Sequence, residues 1–241
     1  MRAHWRKLGS CVGTFWERGG HSSLFARISY FKGTASQIDA AIALIRDRIE
    51  PSLRTQAGFM GAATVVDRAA GEGLSTTLWN SLADMSAAEE MGIAARSEAT
   101  ARAGVQLIDV DRFEVIFQDR VAPSEAGTVT RSTELRGSPD KIDAAVAVMK
   151  DKGIALLRPR PGYRGMLMMP NRATGRIRIT SSWTSAVDRD NTPGVPTGFR
   201  EEVAQIAGSP GARVTRYEVA LSTVSEAAPL SIEWRFPSHD P

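Results

Sequence analysis

The sequence has few of the residue types on which many active sites depend. Cysteine occurs once, at Cys11, and histidine occurs three times, at His4, His21 and His239. A single cysteine excludes an internal disulfide, and so few cysteines and histidines exclude a structural zinc site. We therefore predict no metal centre.

Long hydrophobic runs and blocks of one charge are also missing. No segment approaches the roughly 20 apolar residues that span a bilayer, and the first 23 residues lack the apolar run of a signal peptide. Lys and Arg number 30 and Asp and Glu 27, with no basic stripe. These patterns predict no membrane and no nucleic-acid partner, and the cysteine content fits a cytoplasmic location.

What the sequence does contain is an internal repeat. The segment "QIDAAIALIRDR" at residues 37–48 recurs as "KIDAAVAVMKDK" at residues 141–152, which is an offset of 104 residues. The same offset takes Trp79 to Trp183 and "FEV" at 113–115 to "YEV" at 217–219. Such register across loops indicates a tandem duplication. The predicted divisions are an irregular tail, a first unit, a linker, a second unit and a C-terminal tail, at residues 1–23, 24–120, 121–127, 128–223 and 224–241.

Each unit shows the same order of elements. A β-prone run is followed by an amphipathic helix, a β-hairpin, a second helix and a closing strand, which is the β-α-β-β-α-β order of a ferredoxin-like domain. Residues 185–198 contain two prolines and predict a flexible loop over a cavity of the second unit. Residues 230–236 predict an extra strand in the C-terminal tail.

The strands carry apolar residues on both faces, so each sheet needs a covering layer on both sides. Packing the two sheets against each other would supply that layer, as in a symmetric dimer whose partners share one chain. We predict an α+β fold in which two tandem ferredoxin-like units form an intramolecular pseudo-dimer. Further homo-oligomerisation stays open.

The element order, the pairs Trp79-Asn80 and Trp183-Thr184, and the closing F/Y-E-V strand resemble the dimeric α/β-barrel superfamily. Within it they are most similar to the antibiotic biosynthesis monooxygenase-like domain, over both repeats. The resemblance implies a barrel built from two such units, and a function among small-molecule oxygenases, haem-degrading enzymes, isomerases and proteins without established activity. Haem-binding members need an axial histidine, and the histidines here lie only in the tails, so we expect no haem and no other cofactor.

Among the activities that the resemblance implies, the one that needs neither haem nor a histidine is cofactor-independent oxygenation of a small aromatic or quinol-type molecule. Such a site needs a water-poor pocket, an aromatic wall, an oxyanion donor, a cation beside the phenolate and a base. We predict that the wall is formed by Trp79, Phe59, Trp183 and Tyr163. The catalytic candidates are Asn80 as donor, Arg27 as cation and Glu114 as base, with Arg131 and Glu218 as the second unit's pocket residues.

Each candidate has a structural alternative. Tryptophan at the end of a central strand often belongs to the core. The pairs Arg27–Glu114 and Arg131–Glu218 fit cross-strand ion pairs, because the first and fourth strands are neighbours. The alternative function is a non-catalytic, small-molecule-binding or stress-associated pseudo-dimer. An RNA-binding module of the same topology is disfavoured, because the central strands lack the aromatic residues that stack on bases.

Overall fold

The computed structural model describes residues 24–191 and 197–224. Within these ranges the chain forms the two predicted βαββαβ units. The hairpin strands keep the 104-residue offset at every residue: β2 (Phe59–Asp67) and β3 (Glu72–Trp79) correspond to β7 (Tyr163–Asn171) and β8 (Arg176–Trp183). The first and closing strands are β1 (Leu24–Lys32), β4 (Gln106–Val115), β6 (Val129–Arg136) and β9 (Ala212–Ser222).

The repeated segment is helical in both units and contains the same irregularity. In the first unit α1 (Ala35–Leu44) passes through a π-helical turn (Ile45–Ile49) into α2 (Glu50–Leu53). In the second unit a 3-10 turn (Pro139–Lys141) leads into α5 (Ile142–Val148), a π-helical turn (Met149–Gly153) and α6 (Ile154–Leu157). A capping box starts α1, because Thr34 and Gln37 exchange hydrogen bonds there.

The second helical segments correct one expectation. They are α3 (Leu82–Ala87) and α4 (Glu89–Ala103) in the first unit, and α7 (Ala186–Asp190) and α8 (Thr197–Ile206) in the second. The prediction of a loop over residues 185–198 is therefore wrong at Ala186–Asp190, which form α7. The Ser185 hydroxyl accepts a hydrogen bond from the Asp188 N–H, as Ser81 does from Asp84, and this N-cap starts the same helix in both units.

The two units share one sheet, with the strand order β4-β1-β3-β2-β9-β6-β8-β7-β5. Strand β5 (Phe117–Arg120) continues β4 after Ile116, whose N–H donates to the Met168 carbonyl, so the sheet closes on itself as a barrel. Each closing strand thus pairs with its own first strand and then with the hairpin of the other unit. The predicted sheet-to-sheet pseudo-dimer is confirmed.

Successive side chains along each strand point alternately into two different environments. One face of each unit packs under its own helices, while the other faces the barrel interior, which we call the lumen. The apolar cluster of the lumen joins residues of both units, including Leu74, Leu78, Met169 and Tyr217. The predicted extra strand at 230–236 lies outside the described residues, as does the tail before residue 24.

Candidate functional site

The two tryptophans predicted as pocket walls lie under the helices and have no exposed surface. Each indole N–H donates to a hydroxyl two residues earlier, Trp79 to Thr77 at 2.9 Å and Trp183 to Ser181 at 3.0 Å. Phe59 meets Trp79 edge to face at 5.4 Å between ring centroids. Both indoles are fully buried and line none of the cavities described below, which favours the core alternative for Trp79 and Trp183.

Tyr163 packs on Trp183 in the same geometry, with the ring centroids 5.5 Å apart. Its hydroxyl donates to an Asp119 carboxylate oxygen at 3.0 Å, and Asp119 also binds Arg158 at 2.6 Å. Burial and the neighbouring carboxylate raise the pKa of Tyr163 well above its ordinary value. The phenol stays protonated and holds β5 of the first unit against the second.

Arg27 lies almost fully buried below α3 and α4. Its guanidinium carbon lies 5.7 Å from the centroid of Trp79, and one Nη donates to the Met85 carbonyl. The same guanidinium pairs with Glu89 at 2.8 Å. Burial is the main cause that lowers the pKa of Arg27. Through these contacts with Met85 and Glu89, Arg27 fixes α3 and α4 to the sheet, while its Nε has no hydrogen-bond partner.

The predicted ion pairs Arg27–Glu114 and Arg131–Glu218 are wrong. In the β1–β4 register Arg27 lies opposite Arg112, and in the β6–β9 register Arg131 lies opposite Arg216. Arg131 instead donates to the Arg189 carbonyl, with its guanidinium carbon 5.9 Å from the Trp183 centroid.

The two glutamates form ion pairs between the units. Glu114 binds Arg172 at 2.9 Å, and Arg172 also binds Asp143 at 2.8 Å. Glu218 is half exposed and pairs with Arg68 of the first unit. Neither carboxylate lines one of the cavities described below, so the geometry places neither as the predicted base or pocket residue.

Asn80 lies exposed at the end of β3. Its main-chain N–H donates to the Gly58 carbonyl at 2.7 Å, and the Thr184 N–H donates to the Gly162 carbonyl at 2.8 Å. The change from Asn to Thr therefore falls on two surface turns with the same main-chain hydrogen bond. Asn80 lines none of the cavities described here, and its role as an oxyanion donor stays a prediction.

The helix-covered side of each sheet has space for little more than a small fragment. The cavity beside Arg27 in the first unit is about 70 Å³, and the cavity beside Arg131 in the second is about 50 Å³. A drug-sized ligand needs several hundred Å³. A quinol therefore does not fit where the site was predicted.

A larger cavity, of about 410 Å³, lies in the lumen. Its walls come from both units, and at one end it meets the linker residues Ala122, Pro123, Ser124 and Glu125. A second space of about 180 Å³ adjoins the other end and shares several lining residues with it, among them Leu74, Ser132, Arg178 and Tyr217.

The two halves of the lumen wall differ in polarity at equivalent positions. In the first unit the lining residues include Ile28, Leu74 and Leu78. The repeat offset puts Ser132, Arg178 and Ser182 at those positions in the second unit, while Thr76 and Thr180 correspond to each other. At these equivalent positions the first unit is apolar, and the second presents hydroxyl groups and a guanidinium.

Arg178 is the most buried cation of the lumen, with 4% of its surface exposed. Its guanidinium donates to Glu134 and Ser132 at 2.6 Å each, and to the Tyr30 hydroxyl at 3.0 Å. Burial raises the pKa of Glu134, but Arg178, Arg176 and Arg136 lower it more, so that the net pKa is below the ordinary value. The charge of Arg178 is thus balanced within the protein.

Three buried polar atoms of lumen-lining residues have no hydrogen-bond partner. They are Gln118 Oε1, Thr130 Oγ1 and Arg178 Nε. Such atoms cost free energy unless a water or a ligand satisfies them. The arrangement can hold a molecule that is mainly apolar and carries one or two groups that both donate and accept, such as hydroxyls.

The lumen residues were missed although the sequence carries a signal for them. Aligned at the repeat offset, Leu74 and Leu78 of β3 become Arg178 and Ser182 of β8, while the tryptophans at the ends of the strands are identical. The helix-covered face changes as well, from Gly73 and Ser75 to Ile177 and Ile179. The signal is therefore the exchange of leucine for arginine and serine on one face of a central strand.

In the described part of the chain no helix is long and apolar enough to cross a membrane. Residues 24–191 and 197–224 also contain no group of three His, Cys, Asp or Glu side chains placed to hold a metal ion. A cytoplasmic location and further oligomerisation stay predictions.

Comparison with known sequences finds relatives of similar length. The chain is 25% identical over 190 residues to the uncharacterized protein Rv2558 of Mycobacterium tuberculosis, covering 77% of this chain and 80% of that protein. It is 22% identical over 199 residues to the uncharacterized protein Rv2557 of the same organism, covering 83% of this chain and 88% of that protein. No family model matches the sequence.

Comparison with solved structures supports the fold. A candidate monooxygenase from Fusobacterium nucleatum superposes with a TM-score of 0.65 at 10% identity, over 84% of this chain and 95% of that one. An anthrone oxidase-like protein superposes with a TM-score of 0.59 at 15% identity, over 87% of this chain and 95% of that one. The chain therefore shares the fold of these proteins, a dimeric α/β barrel, here with both ferredoxin-like units on one polypeptide.

Proposed function

We propose that the chain binds a small, mainly apolar molecule with at least one hydroxyl group in the lumen of the barrel. The observation that carries the proposal is the cavity of about 410 Å³, into which β1 and β3 present isoleucine and leucine while β6 and β8 present hydroxyl groups. A cavity of this size is within the range of small-molecule sites. The helix-covered cavities, at about 70 and 50 Å³, are too small for the same molecule.

The polarity of the walls supports a neutral ligand. Arg178 is already paired with Glu134 at 2.6 Å, so an anion would add uncompensated charge to the lumen. The unpartnered oxygens of Gln118 and Thr130 instead favour a ligand that offers a donor. A hydroxylated aromatic or alicyclic molecule meets both requirements.

The experiment is a titration of the full chain with 1-naphthol, followed by its fluorescence. Replacement of Thr180 by Phe places a ring in the lumen and should lower the affinity at least about tenfold, which corresponds to 1.4 kcal/mol. Thr174→Phe is the matched control, because Thr174 is exposed on the hairpin turn and does not line the cavity. Equal binding by both variants, or no saturable binding by the wild type, would contradict the proposal.

Cofactor-independent oxygenation of a phenol or quinol is the second candidate function, and Arg178 is the residue that favours it. Because Glu134 already balances its charge, Arg178 would act through its unpartnered Nε–H, which would donate a hydrogen bond to the oxygen of the transient phenolate that reacts with dioxygen. The fold shared with monooxygenase-like and anthrone oxidase-like proteins supports this choice of chemistry. The wild type and Thr180→Phe would be compared in an oxygen electrode with 1,4-naphthoquinol. Saturable binding without enzyme-dependent oxygen uptake leaves the non-catalytic binding function.

A further inference from the structure

The linker between the two units runs along one end of the lumen. Residues 121–127 follow β5, and Ala122, Pro123, Ser124 and Glu125 line the cavity of about 410 Å³ there. Their burial alternates, since Ala122 and Ser124 are half-buried while Pro123 and Glu125 are exposed. The linker therefore forms part of the cavity wall with its inner side and meets solvent with its outer side.

Hydrogen bonds hold this segment in place. None of its residues belongs to an apolar cluster of the described part of the chain. At its far end the Gly127 N–H donates to the Val219 carbonyl of β9 at 2.9 Å, and the Thr128 hydroxyl donates to the Glu125 carbonyl at 2.7 Å. Segments with few buried apolar contacts and with hydrogen bonds close to solvent open locally while the rest of a protein stays folded.

At its near end the linker is held by Arg164 of β7. The main-chain carbonyl of Arg164 accepts from the N–H groups of Val121 and Ala122 at 2.8 and 3.0 Å. Its guanidinium Nε donates to the Pro123 carbonyl at 2.9 Å. The residue at the equivalent position of the first unit is Met60, whose side chain has no donor. Arg164 thus holds the linker with both its main chain and its side chain.

The opposite end of the cavity is closed more firmly. Arg178 lines both the cavity and the adjoining space of about 180 Å³, and only 4% of its surface is exposed. Moving it would separate its ion pair with Glu134, at 2.6 Å, inside the protein, where neither charge is hydrated. The polar groups of the linker lie next to solvent, so water can replace the hydrogen bonds that opening breaks. Opening at the linker therefore costs less free energy.

We propose that residues 121–126 are a lid on the lumen and that Arg164 is the latch that keeps this lid closed. The inference rests on the proposed binding function, since the lid sets how fast a small molecule enters and leaves the cavity. Gly127 is the hinge, because its φ is +87° and an added Cβ would meet no atom of the described residues within 4 Å. The lid changes the rate of passage and leaves the bound state unchanged.

The first test needs no ligand. Hydrogen exchange of the full chain, followed by nuclear magnetic resonance, should show that the amides of Val121 and Ala122 exchange by local opening. The Ile116 amide, which donates to the Met168 carbonyl in the sheet, should exchange only with global unfolding.

Replacing the latch should free the lid alone. Arg164→Met introduces the residue of the first unit and should speed the exchange of Val121 and Ala122 at least about tenfold, because the charge-assisted hydrogen bond to Pro123 is lost. The exchange of Ile116 should stay unchanged. Equal acceleration of Ile116 would show that Arg164 supports the whole barrel and would overturn the assignment as a latch.

Arg160→Met is the matched control. Arg160 is a second arginine of the same unit that donates to a main-chain carbonyl, that of Leu156 at 3.1 Å, and it does not line the cavity. This variant should leave the exchange of Val121 and Ala122 as in the wild type.

The second test measures passage of the ligand. Stopped-flow mixing with 1-naphthol gives the association and dissociation rate constants. Arg164→Met should raise both by about tenfold and leave the dissociation constant unchanged, because a lid alters the path to the bound state. Ile108→Trp tests the other end, since Ile108 lines the space of about 180 Å³ and is 48% exposed. It should leave both rate constants unchanged.

The outcomes separate the lid from the binding function. Slower passage in Ile108→Trp, together with unchanged passage in Arg164→Met, would place the entrance at the other end and overturn the lid. Exchange of Val121 and Ala122 only with Ile116, in global unfolding, would also overturn it, whether or not 1-naphthol binds. Fast local exchange without saturable binding of 1-naphthol would support the lid and contradict the binding function alone.

Discussion

The two units place the same arginine and tryptophan at equivalent positions but differ in what surrounds the arginine. Both place an arginine of the first strand over a buried tryptophan, at 5.7 Å in the first unit and 5.9 Å in the second. In the first unit Glu89 neutralises this arginine from the covering helix, and in the second unit the equivalent position is Pro193. The second unit thus keeps the arginine of the first strand but has no glutamate at the position of Glu89.

A second contrast of the same kind separates the lumen walls. The outer faces keep their tryptophans, while the inner faces change from Leu74 and Leu78 to Arg178 and Ser182. The helix-covered faces also change, from Gly73 and Ser75 to Ile177 and Ile179, so change is not confined to the lumen. What distinguishes the lumen is the direction of the change, from leucine to arginine and serine, and the proposed binding site lies there.

The largest expected effect tests whether the two cores are equivalent. Trp79→Ala and Trp183→Ala should each lower the free energy of unfolding by about 3 to 5 kcal/mol, because each removes a fully buried ring. Urea unfolding followed by circular dichroism measures both. A large loss in one variant and a small loss in the other would show that the tryptophans do not share one role.

The next effect separates the acidic partners of the arginines in the two units. Glu89→Gln should cost about 3 kcal/mol, because it leaves the buried Arg27 without its carboxylate. Asp190→Asn should cost about 1 kcal/mol, since Asp190 and its partner Arg216 are 42% and 55% exposed and solvent screens the pair. The same unfolding measurement gives both values. Equal losses would remove the distinction between the two units.

The pH dependence of stability sharpens that comparison. Burial raises the pKa of Glu89, but hydrogen bonds from Arg112 and Arg96 and the charge of Arg27 lower it more, giving a net pKa below the ordinary 4.5. A lowered folded-state pKa means that Glu89 stabilises the fold above about pH 4.5 and that this contribution is lost as the pH falls through the lowered value. The loss of stability between pH 7 and pH 3 should be smaller in Glu89→Gln than in the wild type. An unchanged loss would contradict the assignment.

The smallest effect concerns the difference between Asn80 and Thr184, which stand at equivalent positions of the two repeats. Exchanging the two residues, by Asn80→Thr and Thr184→Asn, should change the free energy of unfolding by less than about 0.5 kcal/mol, because both side chains are exposed. The 1-naphthol affinity should stay the same. A loss of affinity would return Asn80 to the list of binding residues.

Sequence patterns predicted the fold better than the site. The repeat offset located the strands of both hairpins, and the helix pattern at residues 37–48 predicted the helix that begins at Ala35. These features are local, since they depend on periodicity and capping. The site predictions selected Trp79 and Asn80 for residue type, which does not say whether a side chain faces a helix, the lumen or water.

The sequence by itself determined that this protein is a duplicated ferredoxin-like unit and which residues share a face of each strand, because strand side chains alternate with a period of two. Only the tertiary structure decided which face the helices cover, and that β5 crosses to pair with β7. It also decided that Arg27 binds Glu89 and that Glu114 binds Arg172. Those ion pairs join residues far apart in the chain, and their geometry exists only after the barrel has closed.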